Sequence, residues 1–356
     1  MSDAIDALRS TVSHLESLVY KYPWLIINES ELQAYLQALL LERLKETPPV
    51  TLAPNLNNRR SGYSFSCRRV YRELKVEEGR SGKETDIIVL TNDKQTILPK
   101  ANQAPARFLP PYDIIIETKV DASSAQIINR KASSSLSAKV IKQDIAKWQQ
   151  KKGLANNILS IVYTATPEKY YNLSNVITIR RTIADQPPLL PDKNNSLLAA
   201  KSYDKAVKNL YQKFARQPLW YIREKDFESE LLYSMQKNLT LHPERLSPVR
   251  TQWYSEHKDL LKKNRRHDLV VLSDVQGHLL LEVELKTSHS DSHNWFRKKD
   301  VDKEYDSINT LVNNKLLSRG VFAMFRYGEK RWIEDTINLN QKYPRVELNY
   351  FCSEMD

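Results

Sequence analysis

One two-strand pattern occurs twice in this chain, and that duplication constrains the fold more than any other feature. In the second half, His267-Asp268-Leu269-Val270-Val271-Leu272 is followed, after a short turn containing Gly277, by Leu279-Leu280-Leu281-Glu282-Val283-Glu284-Leu285-Lys286. Both runs are rich in β-branched residues and leucine, and turn formers separate them, so they read as adjacent strands. The first opens with a carboxylate and the second ends on Glu-x-Glu-x-Lys. Residues two apart on a strand share a face, so Glu282, Glu284 and Lys286 are expected to point one way. In the first half, Thr85-Asp86-Ile87-Ile88-Val89-Leu90 matches the first run, and Tyr112-Asp113-Ile114-Ile115-Ile116-Glu117-Thr118-Lys119 matches the second.

The repetition extends along the chain. Glu-Ser-Glu-Leu stands at 29–32 and again at 228–231, each followed five residues on by Gln37 or Gln236. Pro23-Trp24-Leu25-Ile26 precedes the first and Pro218-Leu219-Trp220-Tyr221-Ile222 the second. Val70-Tyr71-Arg72-Glu73-Leu74-Lys75 is matched to Trp253-Tyr254-Ser255-Glu256-His257-Lys258 as the stretch before each Asp strand. Apolar spacing predicts helices over 3–20, 29–45, 139–150, 197–216 and 300–316, with strands at 158–164, 176–179, 320–326 and 346–350. Residues 185–196 have linker composition, with Pro187, Pro188 and Pro191 among polar residues. The expected division is a domain over 1–184, a linker over 185–196 and a second domain over 197–356. A repeat this long implies two full domains rather than solenoid units. The expected class is α/β, each domain a mixed central sheet flanked by helices. The first copy has an insertion, 92–111, between its Asp strand and its Glu-x-Lys strand, which reads as a tolerated surface excursion.

Carboxylates at the end of a sheet hold a divalent cation, and a lysine beside them can orient water or stabilise charge on phosphorus. Glu-x-Lys alone is a cheap pattern: Glu73-Leu74-Lys75 and Glu256-His257-Lys258 also spell it. Those two lack a preceding apolar run and read as half-solvated strand faces. What distinguishes the others is order, repeated twice: a helical Glu, an Asp strand, an apolar Glu-x-Lys strand, then a helix and a strand. In this the chain resembles the PD-(D/E)xK nuclease superfamily, the restriction-endonuclease-like fold, in two tandem copies. The resemblance implies Mg²⁺-dependent phosphodiester hydrolysis, with Mn²⁺ as substitute. Asp86, Glu117 and Lys119 would be catalytic in the first copy, and Asp268, Glu284 and Lys286 in the second. Glu31 and Glu230 would complete the metal shells, with Glu29 and Glu228 as rivals. The bland alternative for these helical acids is service at a helix N-terminus.

A formal charge of +11 makes a polyanion a plausible partner. The run Lys262-Lys263-Asn264-Arg265-Arg266 leads into Asp268, and Arg297-Lys298-Lys299 follows Lys286. Lys262, Lys263, Arg265, Arg266, Arg297 and Lys298 are therefore the expected phosphate contacts. DNA is favoured over RNA, with one copy per strand in a pseudo-dimer and a restriction or anti-phage role by analogy; partner subunits of a larger defence or repair complex are a further option. The competing reading is a nucleic-acid-binding or scaffold protein whose nuclease-like domains no longer turn over. Should one copy alone cut, the second is expected to be the one, given its tight hairpin, its basic run and Glu282 as an extra acid. His289 and His293 read as loop residues, not zinc ligands. Two cysteines exclude a cysteine zinc site, and no Gly-rich phosphate loop supports nucleotide binding. With no apolar run of membrane-spanning length and no signal-peptide pattern, a cytoplasmic protein is expected.

Overall fold

The computed structural model describes residues 3–52, 65–74, 76, 84–98, 107–120, 136–151, 153–164, 173–180, 187–254, 257–261, 265–288, 298–326 and 341–353. Both units are mixed α/β. One comprises Met1–Pro187 with Leu219–Ser229, the other Pro188–Pro218 with Glu230–Asp356. The break in sequence between them is thus not a single linker. Among the described residues no helix is long and apolar enough to cross a membrane.

The first unit opens with helices α1 (Asp3–Lys21) and α2 (Glu29–Arg43). Helix α1 buries Leu8, Val12, Leu15 and Val19, at the helical spacing the sequence shows. Helix α2 is capped by Asn28, whose side chain accepts from the Glu31 backbone N–H, while Glu31 accepts from Ile27 N–H at 2.9 Å. This reciprocal arrangement satisfies two orphan donors, in the manner of a capping box.

Strands β1 (Pro49–Leu52), β2 (Phe65–Ser66), β3 (Val70–Arg72), β4 (Ile87–Leu90), β5 (Gln95–Leu98), β6 (Arg107–Phe108) and β7 (Tyr112–Val120) follow. Helix α3 (Ala138–Gln149) then leads to β8 (Ala155–Thr164) and β9 (Val176–Arg180). The main sheet has the order β3-β4-β7-β8-β9, antiparallel across its first three strands and parallel beyond. A parallel β7–β8 pair needs a crossover, and α3 supplies it, burying Ile141, Ile145 and Trp148. Strands β4 and β7 are buried almost throughout, which is why they read as unbroken apolar runs.

The insertion is more than a surface excursion. Its strands β5 and β6 join β1 and β2 in a second, four-stranded sheet. Ile97 and Phe108 are buried in one cluster with Val50, Tyr71, Tyr112 and Trp148, and the Tyr71 and Phe108 rings lie 5.0 Å apart. Long insertions are tolerated at surfaces, but this one found apolar surface to cover.

The second unit opens with α4 (Lys193–Arg216), which begins inside the stretch expected to be linker. Asp192 caps it by accepting from Asn194 N–H and Asn195 N–H, so the prolines, not the asparagines, mark the end of the connection. Helix α5 (Glu224–Gln236) is divided between the units. Then come β10 (Val249–Tyr254), the short α6 (Lys258–Leu261), β11 (Arg266–Leu272), β12 (Leu279–Ser288), α7 (Lys298–Asn313), β13 (Leu317–Arg326) and β14 (Val346–Cys352). The sheet order is β10-β11-β12-β13-β14, again with two antiparallel pairings followed by two parallel ones. Where α7 crosses, Gly320 of β13 is pressed against Ile308, and a β-carbon there would collide with the Ile308 side chain.

The two main sheets therefore share one topology, but the strand register corrects the sequence alignment of the repeat. Val70 pairs with Val89, and Val249 with Val271. The counterpart of Val70 is thus Val249, four residues earlier than the Trp253 to which it was matched. This register makes Glu73 and Gln252 equivalent, and both have left-handed backbones, φ 49° and 52°. Non-glycine residues rarely adopt that conformation.

Candidate active sites

In the first unit the antiparallel β4–β7 pairing sets Ile87 opposite Ile116, which brings Asp86, Glu117 and Lys119 to one end of the sheet. Asp86 Oδ2 accepts from the Thr118 backbone N–H at 2.6 Å and from the Thr118 hydroxyl at 3.0 Å. Lys119 Nζ lies 3.9 Å from Asp86, 3.6 Å from Asp144 Oδ2 and 3.6 Å from Glu29 Oε1. Glu117 accepts from the Trp148 indole N–H at 2.7 Å. Burial is the largest influence on Glu117, and the Asp86 charge adds to it; together they push its pKa to about 7. Burial likewise lifts Glu29 to about 7 against the pull of Lys119. Burial alone would lower Lys119, but Glu29, Asp86 and Asp144 outweigh it and hold the ammonium above its ordinary value.

The second unit repeats the arrangement. Leu269 pairs with Val283, and Asp268 Oδ2 accepts from Leu285 N–H at 3.0 Å. Lys286 Nζ lies 2.7 Å from Glu284, 3.8 Å from Asp268 and 3.5 Å from Glu304 Oε2. The left-handed Gln252 donates to Asp268 Oδ1 at 3.3 Å. Burial, reinforced by Asp268, raises Glu284 well above the ordinary glutamate value.

The surroundings differ. Position 115 is Ile in the first unit, and its counterpart Glu282 is fully buried beside His267 Nδ1 at 2.8 Å and Arg265 at 2.5 Å. Burial would raise Glu282, but Arg265 and then His267 outweigh it and hold the carboxyl below its usual range. Arg265 also reaches Glu284 at 3.3 Å. Glu284 thus leans on a guanidinium where Glu117 leans on an indole.

Several expected site residues stand elsewhere. Glu31, fully buried, spends a carboxylate oxygen on Ile27 N–H, so the helix-terminus role describes it. Its rival Glu29 is the helical acid beside Lys119. Glu230 pairs with Lys213 at 2.6 Å, and Glu228 with Lys225 at 2.6 Å. Arg265, 5% exposed and paired inward, is not a surface phosphate contact. Arg266 is exposed at the start of β11. Lys262, Lys263, Arg297, His289 and His293 lie outside the described residues, as does the side chain of Lys298.

Sequence reasoning missed Asp144 and Glu304. Each stands on the crossover helix immediately before a buried residue, Ile145 or Tyr305, and each approaches the site lysine. The available signal was an acid one step off the buried stripe of that helix.

Hard oxygen donors crowded enough to raise one another's pKa suit a divalent cation. Among the described residues no three acidic, histidine or cysteine side chains are already gathered as a metal-binding group, and in each site the lysine ammonium stands amid the carboxylates. Comparisons with protein-family models, with curated proteins and with solved structures gave no match.

Proposed function

We propose that the chain is a Mg²⁺-dependent nuclease that hydrolyses phosphodiester bonds in DNA, with one restriction-endonuclease-like site in each unit. One observation carries the reading. Twice, an Asp at the start of one strand meets Glu-x-Lys on the antiparallel neighbour, with the ammonium 3.9 Å or 3.8 Å from the Asp and an acid arriving from the crossover helix. Recurrence alone would follow from duplication. The adjoining buried positions did change, Thr85 to His267 and Ile115 to Glu282, while both Asp, both Glu and both Lys are the same residue types.

In this reading Asp86 and Glu117 hold the cation in the first site, assisted by Glu29, and Asp268 and Glu284 hold it in the second. The bound cation would supply a Lewis acid and lower the pKa of a coordinated water. Lys119 and Lys286 position the attacking water and stabilise charge that develops on the phosphate oxygens. Trp148 and Arg265 fix the orientation of the Glu that each one touches.

The first site is the better endowed, which reverses the preference drawn from sequence. Glu282 is committed to Arg265 and His267 and so is no spare acid, and Arg265 is turned toward Glu284 and drops out of the basic run, in which Arg266 stays exposed. A guanidinium 3.3 Å from Glu284 already supplies positive charge where a cation would bind, which favours the second unit as a DNA-holding domain.

The test is supercoiled plasmid incubated with wild type, Asp86→Ala, Asp268→Ala and the double variant, with Mg²⁺ or with EDTA. Two active sites give nicked circles from each single variant. A single active first site gives a dead Asp86→Ala protein and an unimpaired Asp268→Ala protein. Cleavage undiminished in EDTA, or by the double variant, overturns the assignment.

A further inference from the structure

The outer face of α4 carries charge that its place in the fold does not require. Helices α1 and α4 open their units alike, each laying one apolar stripe inward; that of α4 includes Tyr203, Ala206, Val207, Leu210 and Phe214. Helix α1 balances Arg9 and Lys21 against Asp3, Asp6 and Glu16. Helix α4 has six basic residues and one acid, Asp204. That acid is occupied by Arg319 at 2.8 Å, and Lys213 is paired with Glu230. Lys201, Lys205 and Lys208 are exposed at i, i+4 and i+7, and they make no ion pair among the described residues. Like charges at that spacing repel, so the row adds little to the stability of the helix.

Its direction is informative. Helix α4 packs on β11 and β12, the strands that carry Asp268, Glu284 and Lys286. Asp204 meets Arg319, the register partner of Leu281. Further along, Phe214 packs edge-on against Phe325 with ring centroids 5.6 Å apart, and Phe325 is the register partner of Thr287, next after Lys286. The helix therefore runs toward the end of the sheet where the acids gather, on the face opposite Glu282, Glu284 and Lys286. From Lys201 to Arg216 it spans about 22 Å at ~1.5 Å per residue, room for several phosphates.

We propose that Lys201, Lys205, Lys208 and Arg216 form a track that binds the phosphate backbone of duplex DNA and leads it toward the end of the sheet that holds the second unit's acids. The identity of the polyanion rests on the nuclease reading. A lipid surface is the weaker fit, because the helix has already spent its apolar stripe on the core and has little to insert into a bilayer.

The experiment compares the full-length wild type with Lys201→Gln/Lys205→Gln/Lys208→Gln by fluorescence anisotropy on a short labelled duplex, in EDTA, over about 50 to 200 mM salt. Each lost phosphate contact should remove about 0.9 from the slope of log affinity against log salt, so the triple variant should lose roughly 2 to 3 units. Arg9→Gln on α1 should leave the slope unchanged. The melting temperature of the triple variant reports that its fold is intact, since all three side chains are exposed. A triple variant with the wild-type slope overturns the track and leaves the nuclease reading standing. Equal losses from Arg9→Gln overturn it too, as does retained duplex binding alongside lost binding to phosphatidylserine vesicles. A wild type that binds no duplex at all overturns both the track and the nuclease reading.

Discussion

Replacing Glu282 with the residue that its counterpart position already uses, Ile, isolates the energetics of the buried network. Glu282 and His267 are fully buried, and Arg265 is 5% exposed. Glu282→Ile strips Arg265 of a contact at 2.5 Å and His267 of one at 2.8 Å. Removing one partner from a buried ion pair costs about 3–5 kcal/mol. Arg265 retains Glu284 at 3.3 Å and a Glu304 carbonyl at 3.4 Å, which argues for the lower end. About 3 kcal/mol should lower the melting temperature of the second unit by roughly 6–12 °C. Removing the network as a whole, Glu282→Ile with Arg265→Leu and His267→Thr, should recover most of that loss, because it leaves neither Arg265 nor His267 buried without its partner. Differential scanning calorimetry suits the measurement, since two units need not melt together. Acid adds a second axis. Glu282 titrates below its ordinary value of 4.5 in the folded chain, so its contribution is complete above that pH and disappears as pH falls through the lowered value. The gap between wild type and Glu282→Ile should narrow accordingly. A single variant that melts within 2 °C of wild type, or a triple variant no better than the single, would refute the reasoning.

Three further outcomes are expected. Gly320→Ala should cost about 1–3 kcal/mol through overpacking, and Ile308→Leu, which removes the opposing γ2 methyl, should relieve part of it in the double variant, as read by urea unfolding. Glu31→Ala should destabilise by about 1–2 kcal/mol while leaving the Mg²⁺ midpoint of cleavage unchanged, whereas Glu29→Ala should move that midpoint with little effect on stability. Trp148→Phe deprives Glu117 of its buried donor, for about 1–3 kcal/mol, and should reduce nicking in an Asp268→Ala background; undiminished nicking would remove Trp148 from the site's supports.

The parts of this fold that were legible were those written in local periodicity. Strands β4, β7, β11 and β12 each contain a run of buried aliphatic residues, and α1 shows its stripe at helical spacing. The acids Asp86 and Asp268 and the Glu-x-Lys pairs could be read because each lies at the edge of such a run. What stayed hidden depends on pairing across distance. Nothing near Gln95 or Phe108 announces that they complete a sheet with residues near Val50. Arg265 looked like surface because it stands in a basic run, and only the strand pairing shows that Glu282 waits behind it. Glu31 and Glu29 share the same turn of helix, so composition could not tell which one caps and which one faces Lys119. Gln252 reaches Asp268 from a left-handed residue, a conformation that no side-chain pattern encodes.

The discontinuity of the first unit has a consequence for its synthesis. Tyr221, Ile222 and Asp226 belong to that unit, where Arg68 donates to the Tyr221 hydroxyl at 2.7 Å and Gln37 to Asp226 at 2.7 Å. Tyr71, deep in the same core, donates its hydroxyl proton to the Leu219 carbonyl at 2.7 Å. These partners leave the ribosome only after all of α4, so the first half of the chain waits, incomplete, while the opening helix of the second is made. Severing the chain at the prolines near 187–191 would leave the N-terminal piece with a buried guanidinium, amide and phenol facing solvent, whereas the C-terminal piece would carry 219–229 with nothing to cover. Order of translation and order of packing are here interleaved, and the halves of this repeat are not separable at the place where their sequences part.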